Sequence, residues 1–243
     1  MSHKILEGAF LVADAHYSHA RPELLDFFKA IDSGELQPTQ LILMGDIFDA
    51  LFGGVKESYA PNDGAISLLN SISQKIELLY LEGNHDFNLA KIFSHAKIFP
   101  IQAQPVACEF EGRSVALAHG DLDGPLLYRL YAKMIRSPLT LFFLAIINRL
   151  LKNKILDDLD SYLSKKDDCK EFIGFEEFTL KRELKKYGCD YFIDGHFHQN
   201  RGFLSDGVSY FNLGAFACNQ RYFIVKSSDN APILQEMAYS NKG

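Results

Sequence analysis

Five short strings of carboxylate, amide and imidazole side chains each follow directly on an apolar run. They are Asp14-Ala-His16, Gly45-Asp46-Ile-Phe-Asp49, Gly83-Asn84-His85-Asp86, His119-Gly120-Asp121 and Gly195-His196-Phe-His198. Carboxylate with imidazole is a mixed hard and borderline donor set that suits Mn, Fe or Zn better than Ca. The Asn84 carbonyl can ligate a cation without adding charge, and His85 beside it can reach a substrate to protonate or stabilise a leaving oxygen. Asp86 is then placed to hold that imidazole in its useful tautomer. Asp46 ends a strand where a carboxylate is costly unless cations meet it, and it is expected to bridge two metal ions. Asp49 is read as a turn acid that never touches metal. Taken singly the strings are weak, since an Asp and a His fall two apart by chance. Five of them in order, each behind a strand, carry the reading.

The elements that position these strings can be read from the same chain. The apolar run 41–44 is a strand buried on both faces, and Gly45 turns the backbone tightly so that Asp46 projects from its carboxyl end. In an open α/β sheet that edge is where ligands collect. Segments 10–13, 76–81, 115–118 and 191–193 are read as four more such strands, and 207–211 and 222–225 as two closing strands of a second sheet. Leu24, Leu25, Phe27, Phe28 and Ile31 recur at helical spacing up to Ser33-Gly34, and 65–72 is a second helix.

Composition narrows the classes. A chain of 243 residues is long enough for one large domain with a full core, and none of its linkers is rich enough in Pro, Gly or Ser to divide it. A net charge of −6 and a pI near 5.7 exclude the overall positive field of a nucleic-acid binder. Cys108, Cys169, Cys189 and Cys218 form no CxxC pair and read as thiols in a reducing compartment. Lys4 and Glu7 interrupt the first residues, which therefore do not read as a targeting signal. Without a GxSxG elbow, no covalent route is indicated.

The ordered motifs resemble those of the calcineurin-like metallophosphoesterase superfamily and span Asp14 to His198. That resemblance implies an α/β fold, a two-sheet sandwich flanked by helices in four αββα layers, around two divalent ions. Asp14, His16, Asp46 and His198 would hold one ion, and Asp46, Asn84, His119 and His196 the other. His85, backed by Asp86, would be the outer acid or transition-state stabiliser. Two such ions roughly 3.5–4 Å apart lower the pKa of bound water towards ~7 and favour in-line attack on phosphorus.

The stretch 124–178 is a helical insertion that the shared motifs do not explain. Leu139, Phe142, Phe143, Ile146, Ile147 and Leu150 form a helical stripe, and further apolar residues widen it nearly all the way round. A buried core helix and an exposed apolar surface both fit. Charge favours the second: Arg129, Lys133, Arg136, Arg149, Lys152 and Lys154 are uninterrupted by any acid, as on a patch for anionic lipid. With Tyr128 ten residues before Pro138 and a late Leu213-Gly-Ala-Phe216, the chain looks like the UDP-2,3-diacylglucosamine hydrolases of bacterial lipid A synthesis. That similarity implies cleavage of a nucleotide-linked lipid with manganese, at the inner face of the cytoplasmic membrane. It also implies substrate contact by Tyr128 and by one of Lys165 or Lys166. His85 stands where that branch commonly has arginine, and the segment after His119 is slightly shorter. A metallophosphoesterase acting on a small soluble substrate is the alternative. A non-catalytic scaffold is a third, disfavoured because every ligand position is filled.

Overall fold

The computed structural model describes residues 2–121, 126–227 and 233–240. Gly124, where the insertion is expected to begin, and the polar tail beyond Ser240 lie outside the described residues. The first sheet runs, from edge to edge, Leu234–Ala238, Arg221–Val225, Phe10–Val12, Gln40–Leu43, Glu77–Leu81 and Lys97–Phe99. Its last four strands are parallel. The second runs His3–Lys4, Val106–Phe110, Arg113–Leu117, Tyr191–Asp194, Val208–Asn212 and Arg201–Ser205, with Arg113–Leu117, Tyr191–Asp194 and Val208–Asn212 parallel.

Period-two alternation sorts the strand residues into two cores. Leu11, Ile42, Leu79 and Leu81 point between the sheets and meet Val115, Leu117, Tyr191 and Ile193 of the second. Phe10, Val12, Leu41, Leu43 and Tyr80 point outward and are covered by helices α1 (Glu23–Ser33) and α2 (Asp63–Lys75) through Leu24, Phe27, Phe28, Leu69 and Ile72. Strands covered on both faces need unbroken apolar runs, which is why 41–44 reads as it does. Gly34, in the left-handed conformation, ends α1 as the Ser33-Gly34 signal predicts.

Between Arg113–Leu117 and Tyr191–Asp194 lie α3 (Leu126–Ile135), α4 (Pro138–Leu150), α5 (Lys154–Leu163) and α6 (Phe175–Leu180). Phe175 of α6 packs with Phe192 and Tyr210 on the outer face of the second sheet and so supplies the fourth layer. The helix read at 139–151 is α4, and its apolar surface is open: Leu139 is 66%, Phe142 58% and Leu150 77% exposed, while Leu141 and Asn148 are its buried residues. Among the described residues, no single helix is long and apolar enough to cross a membrane. The pair 127–135 and 138–150, bent by 68°, passes that test only together.

Two expectations need correction. Arg221–Val225 pairs antiparallel with Phe10–Val12 in the first sheet, so of the two only Val208–Asn212 belongs to the second. The chain crosses between sheets through α7 (Phe216–Asn219), where Phe216 N–H donates to the Ala13 carbonyl. Second, Cys169 and Cys218 are joined as a disulfide, whereas Cys108 and Cys189 are free thiols. The pair is separated by 49 residues, and only the fold brings the end of the insertion against α7.

Candidate active site at the carboxyl ends of five strands

The strands Phe10–Val12, Gln40–Leu43 and Glu77–Leu81 of one sheet, and Arg113–Leu117 and Tyr191–Asp194 of the other, deliver all five motifs to one edge of the sandwich. Asp14, His16, Asp46, His196 and His198 all adopt positive φ, between 47° and 63°. Such backbone costs about 1–3 kcal/mol per residue and persists where the surroundings over-determine it. The motif glycines make the crowding possible. A Cβ on Gly83 would lie 2.1 Å from Asp46 Oδ1, and one on Gly45 2.5 Å from His119 Nδ1.

Among the described residues, ligating atoms gather within 4.8 Å in three groups: Asp14–His16–His198, Asp46–His119–His196 and His16–Asp49–His85. Each of three imidazoles has its Nδ1 beside a protein acceptor, Asp49 Oδ1 for His16 (3.0 Å), the Met44 carbonyl for His119 (3.0 Å) and the Asp168 carbonyl for His198 (2.5 Å). With Nδ1–H donating, Nε2 is the ring nitrogen turned towards the acids. His119 Nε2 lies 3.3 Å from both Asp46 Oδ2 and Asn84 Oδ1, and His198 Nε2 lies 3.2 Å from Asp14 Oδ1. His16 Nε2 is buried with no hydrogen-bond partner.

Electrostatics point the same way. Burial pushes Asp46 and Asp14 up, but nearby imidazolium charge, His119 for the first and His198 for the second, carries both below the usual carboxylate range. Burial opposes charge on His119, yet Asp46 holds its pKa well above the ordinary value. Burial and the His119 charge push His196 down to about 4, leaving a neutral imidazole. A protonated His119 thus supplies the positive charge that Asp46 demands, a task a bound cation would take over.

The role expected of Asp86 is corrected. Asp86 accepts backbone N–H bonds from Asp46 (3.1 Å), Ile47 (2.6 Å), Phe48 and Gly83 and the Tyr80 hydroxyl (2.6 Å), rather than supporting His85. It therefore shapes the turn that presents Asp46. Burial and the Asp46 charge push its pKa up to about 7. The His85 ring instead sets Nδ1 3.0 Å from the Asp49 carbonyl, and its backbone N–H donates to Asp46 Oδ1 at 2.8 Å. Asp49 is buried, orients His16, and lies 3.9 Å from Arg21. Arg21 also pairs with Asp168 at 2.7 Å, which ties the end of the insertion to the site.

Sequence comparison places residues 10–200 in the family described as calcineurin-like phosphoesterase. The chain belongs to that family. Among the relatives of the phosphoesterase, the UDP-2,3-diacylglucosamine hydrolase of Aromatoleum aromaticum is 26% identical over 94% of this chain and 92% of its own. That of Pseudomonas syringae pv. tomato is 26% identical over 78% of each. A solved phosphoesterase from E. coli is 18% identical, with a TM-score of 0.46 over 95% of this chain and 98% of that one. Phosphoesterases of this family use divalent metal, and the orphaned His16 Nε2, the oriented rings and the charge deficit around Asp46 all fit such ions.

Two cavities open from the phosphoesterase centre. The first, about 350 Å³, has Asn84, His85, Asp49 and Tyr128 at its polar end and Ile135, Leu144, Leu156 and Leu159 from α3, α4 and α5 along its walls. The second, about 530 Å³, is bordered by His196, His198, Lys170, Phe172 and Phe197. Lys166 borders both, whereas Lys165 is exposed and borders neither. Tyr128 gives its hydroxyl to Asp121 Oδ2 at 3.1 Å. Arg136 approaches the same oxygen at 3.7 Å and donates to the Gly83 carbonyl at 2.9 Å. Asp168 carries no signal in the sequence beyond its charge, and Asp49 and Arg136 stand out there only as the last acid of the second string and one of the six bases.

Proposed function

We propose that this phosphoesterase is a dinuclear-metal hydrolase that cleaves the pyrophosphate of UDP-2,3-diacylglucosamine to lipid X and UMP. The observation that carries the reading is the apolar cavity whose polar end is formed by Asn84 and His85. A small polar phosphoester would gain nothing from such walls, whereas burial of acyl chains contributes about 0.8 kcal/mol per methylene. The names of the two relatives support the same substrate.

In this reading Asp14, His16, Asp46 and His198 hold one ion and Asp46, Asn84, His119 and His196 the other, with the chain acting as one domain. Mn²⁺ is the ion we assign, and the donor set also accepts Fe or Zn. When bound, the ions polarise the phosphoryl oxygens and activate water for in-line attack. His85 protonates or stabilises the leaving oxygen, held by the Asp49 carbonyl. Tyr128 and Lys166 position the phosphates. The apolar surface of α3 and α4 rests on the anionic cytoplasmic face of the inner membrane. Of the six bases counted there, Arg136 is buried and Arg149 and Lys154 pair with Glu57 and Asp158, so Arg129, Lys133 and Lys152 supply the attraction.

The test compares kcat/KM for the diacyl substrate with that for its deacylated analogue. Loss of the chains is expected to cost at least about 100-fold. Equal turnover would move the phosphoesterase to small soluble substrates.

A further inference from the structure

The second cavity lies outside the apolar pocket assigned to the lipid, yet it touches His196 and His198, two of the proposed metal ligands. In-line displacement puts the entering water opposite the leaving phosphate, and the substituent retained on the attacked phosphorus lies across that axis, so the two halves of a pyrophosphate leave the reacting atom in different directions. The apolar cavity approaches through Asn84 and His85, and the second through His196 and His198. Its size falls within the range of small-molecule sites.

Its lining differs in kind. Phe172 and Phe197 present rings 6.4 Å apart, and Phe172, 39% exposed, is backed by Phe175 and Phe178 at 5.7 and 5.3 Å. This wall is fixed rather than loose. Gln199 accepts the Phe172 backbone N–H at 2.7 Å and donates to the Lys170 carbonyl at 3.2 Å, and the Cys169–Cys218 disulfide anchors the same stretch to α7. Two of the three rim acids are paired: Asp168 with Arg21 (2.7 Å) and Lys166 (3.1 Å), and Glu171 with Arg201 at 3.6 Å, while Asp167 accepts the Cys169 backbone N–H. Lys166 and Lys170 border the cleft beside the aromatic wall.

We propose that this cleft is a nucleotide subsite in which Phe172 stacks on the base, with Lys166 and Lys170 facing the phosphate. The assignment rests on the pyrophosphate reading above and adds where the nucleotide half lies. Flat rings accept any base face, and such a stack contributes roughly tenfold in affinity.

The test is isothermal titration of the Mn²⁺-loaded full chain with UMP, ribose 5-phosphate and inorganic phosphate, repeated for Phe172→Leu and Phe172→Tyr. UMP is expected to bind about tenfold tighter than ribose 5-phosphate. Phe172→Leu should erase that preference and Phe172→Tyr should keep it, with inorganic phosphate bound equally by all three proteins. Absence of a UMP preference, or a preference that survives Phe172→Leu, would overturn the subsite even where the lipid nucleotide is hydrolysed. A Phe172-dependent preference without lipid hydrolysis would retain the subsite and overturn the lipid substrate.

Discussion

Asp46 is the side chain on which most of the site converges: His119 faces its carboxylate, His85 donates to it, and Asp86 organises its backbone. Asp46→Asn keeps the shape and tolerates the left-handed backbone, but removes the charge. Hydrolysis is expected to fall by at least about 100-fold, as also for His119→Ala, with the far-UV spectrum unchanged. Preserved turnover in either variant would contradict the ligand assignment. Asp49→Ala should weaken Mn²⁺ binding about 10–100-fold by freeing the His16 ring, with turnover recovered at excess metal. An unchanged affinity in calorimetry would show that Asp49 is dispensable. Because Asp46 keeps His119 protonated, metal binding should release a proton, and apparent affinity should rise with pH as protons cease to compete. Binding enthalpies measured in two buffers of different ionisation enthalpy should therefore differ; identical values would refute the proton release. The proposed ligands were legible because each follows an apolar run. Asp49 and Asp168 were not, since the histidines they orient lie 33 and 30 residues away and no local pattern joins them.

At the scale of elements, the strands that hold the motifs were legible for a physical reason. A strand covered on both faces must be apolar throughout, and that run ends abruptly where a charged group begins. Which sheet a closing strand joins was not legible: 207–211 and 222–225 have similar composition, and a crossover of a few residues separates their sheets. The insertion shows the opposite balance, its helix plain from spacing but its environment set by what covers it. In α4, Leu139, Phe142 and Leu150 stay exposed although a soluble surface rarely gathers such residues. Phe142→Ser with Leu150→Ser should abolish co-sedimentation with vesicles containing anionic lipid, while leaving turnover of detergent-dispersed substrate within about twofold. Wild-type sedimentation by the double variant would detach this face from membrane binding. Salt should weaken the wild-type interaction, because its exposed bases act through screened charge.

Across the whole molecule, two sheets meet so that one edge carries the reactive groups and the insertion builds over it. Arg21 and Asp168, Arg136 and Gly83, and the Cys169–Cys218 bond fasten the insertion to the sandwich at separate points. The centre consequently borders both an apolar cavity and an aromatic one lined by charged residues, an arrangement suited to a molecule with unlike halves joined through phosphate. The most direct test is release of UMP from UDP-2,3-diacylglucosamine in detergent, comparing metal-depleted protein with protein reloaded with Mn²⁺. The account predicts release that depends on the metal and disappears in Asp46→Asn. No release by the reloaded protein, alongside metal-dependent cleavage of a simple aryl phosphodiester, would contradict the lipid substrate while leaving the metal chemistry in place.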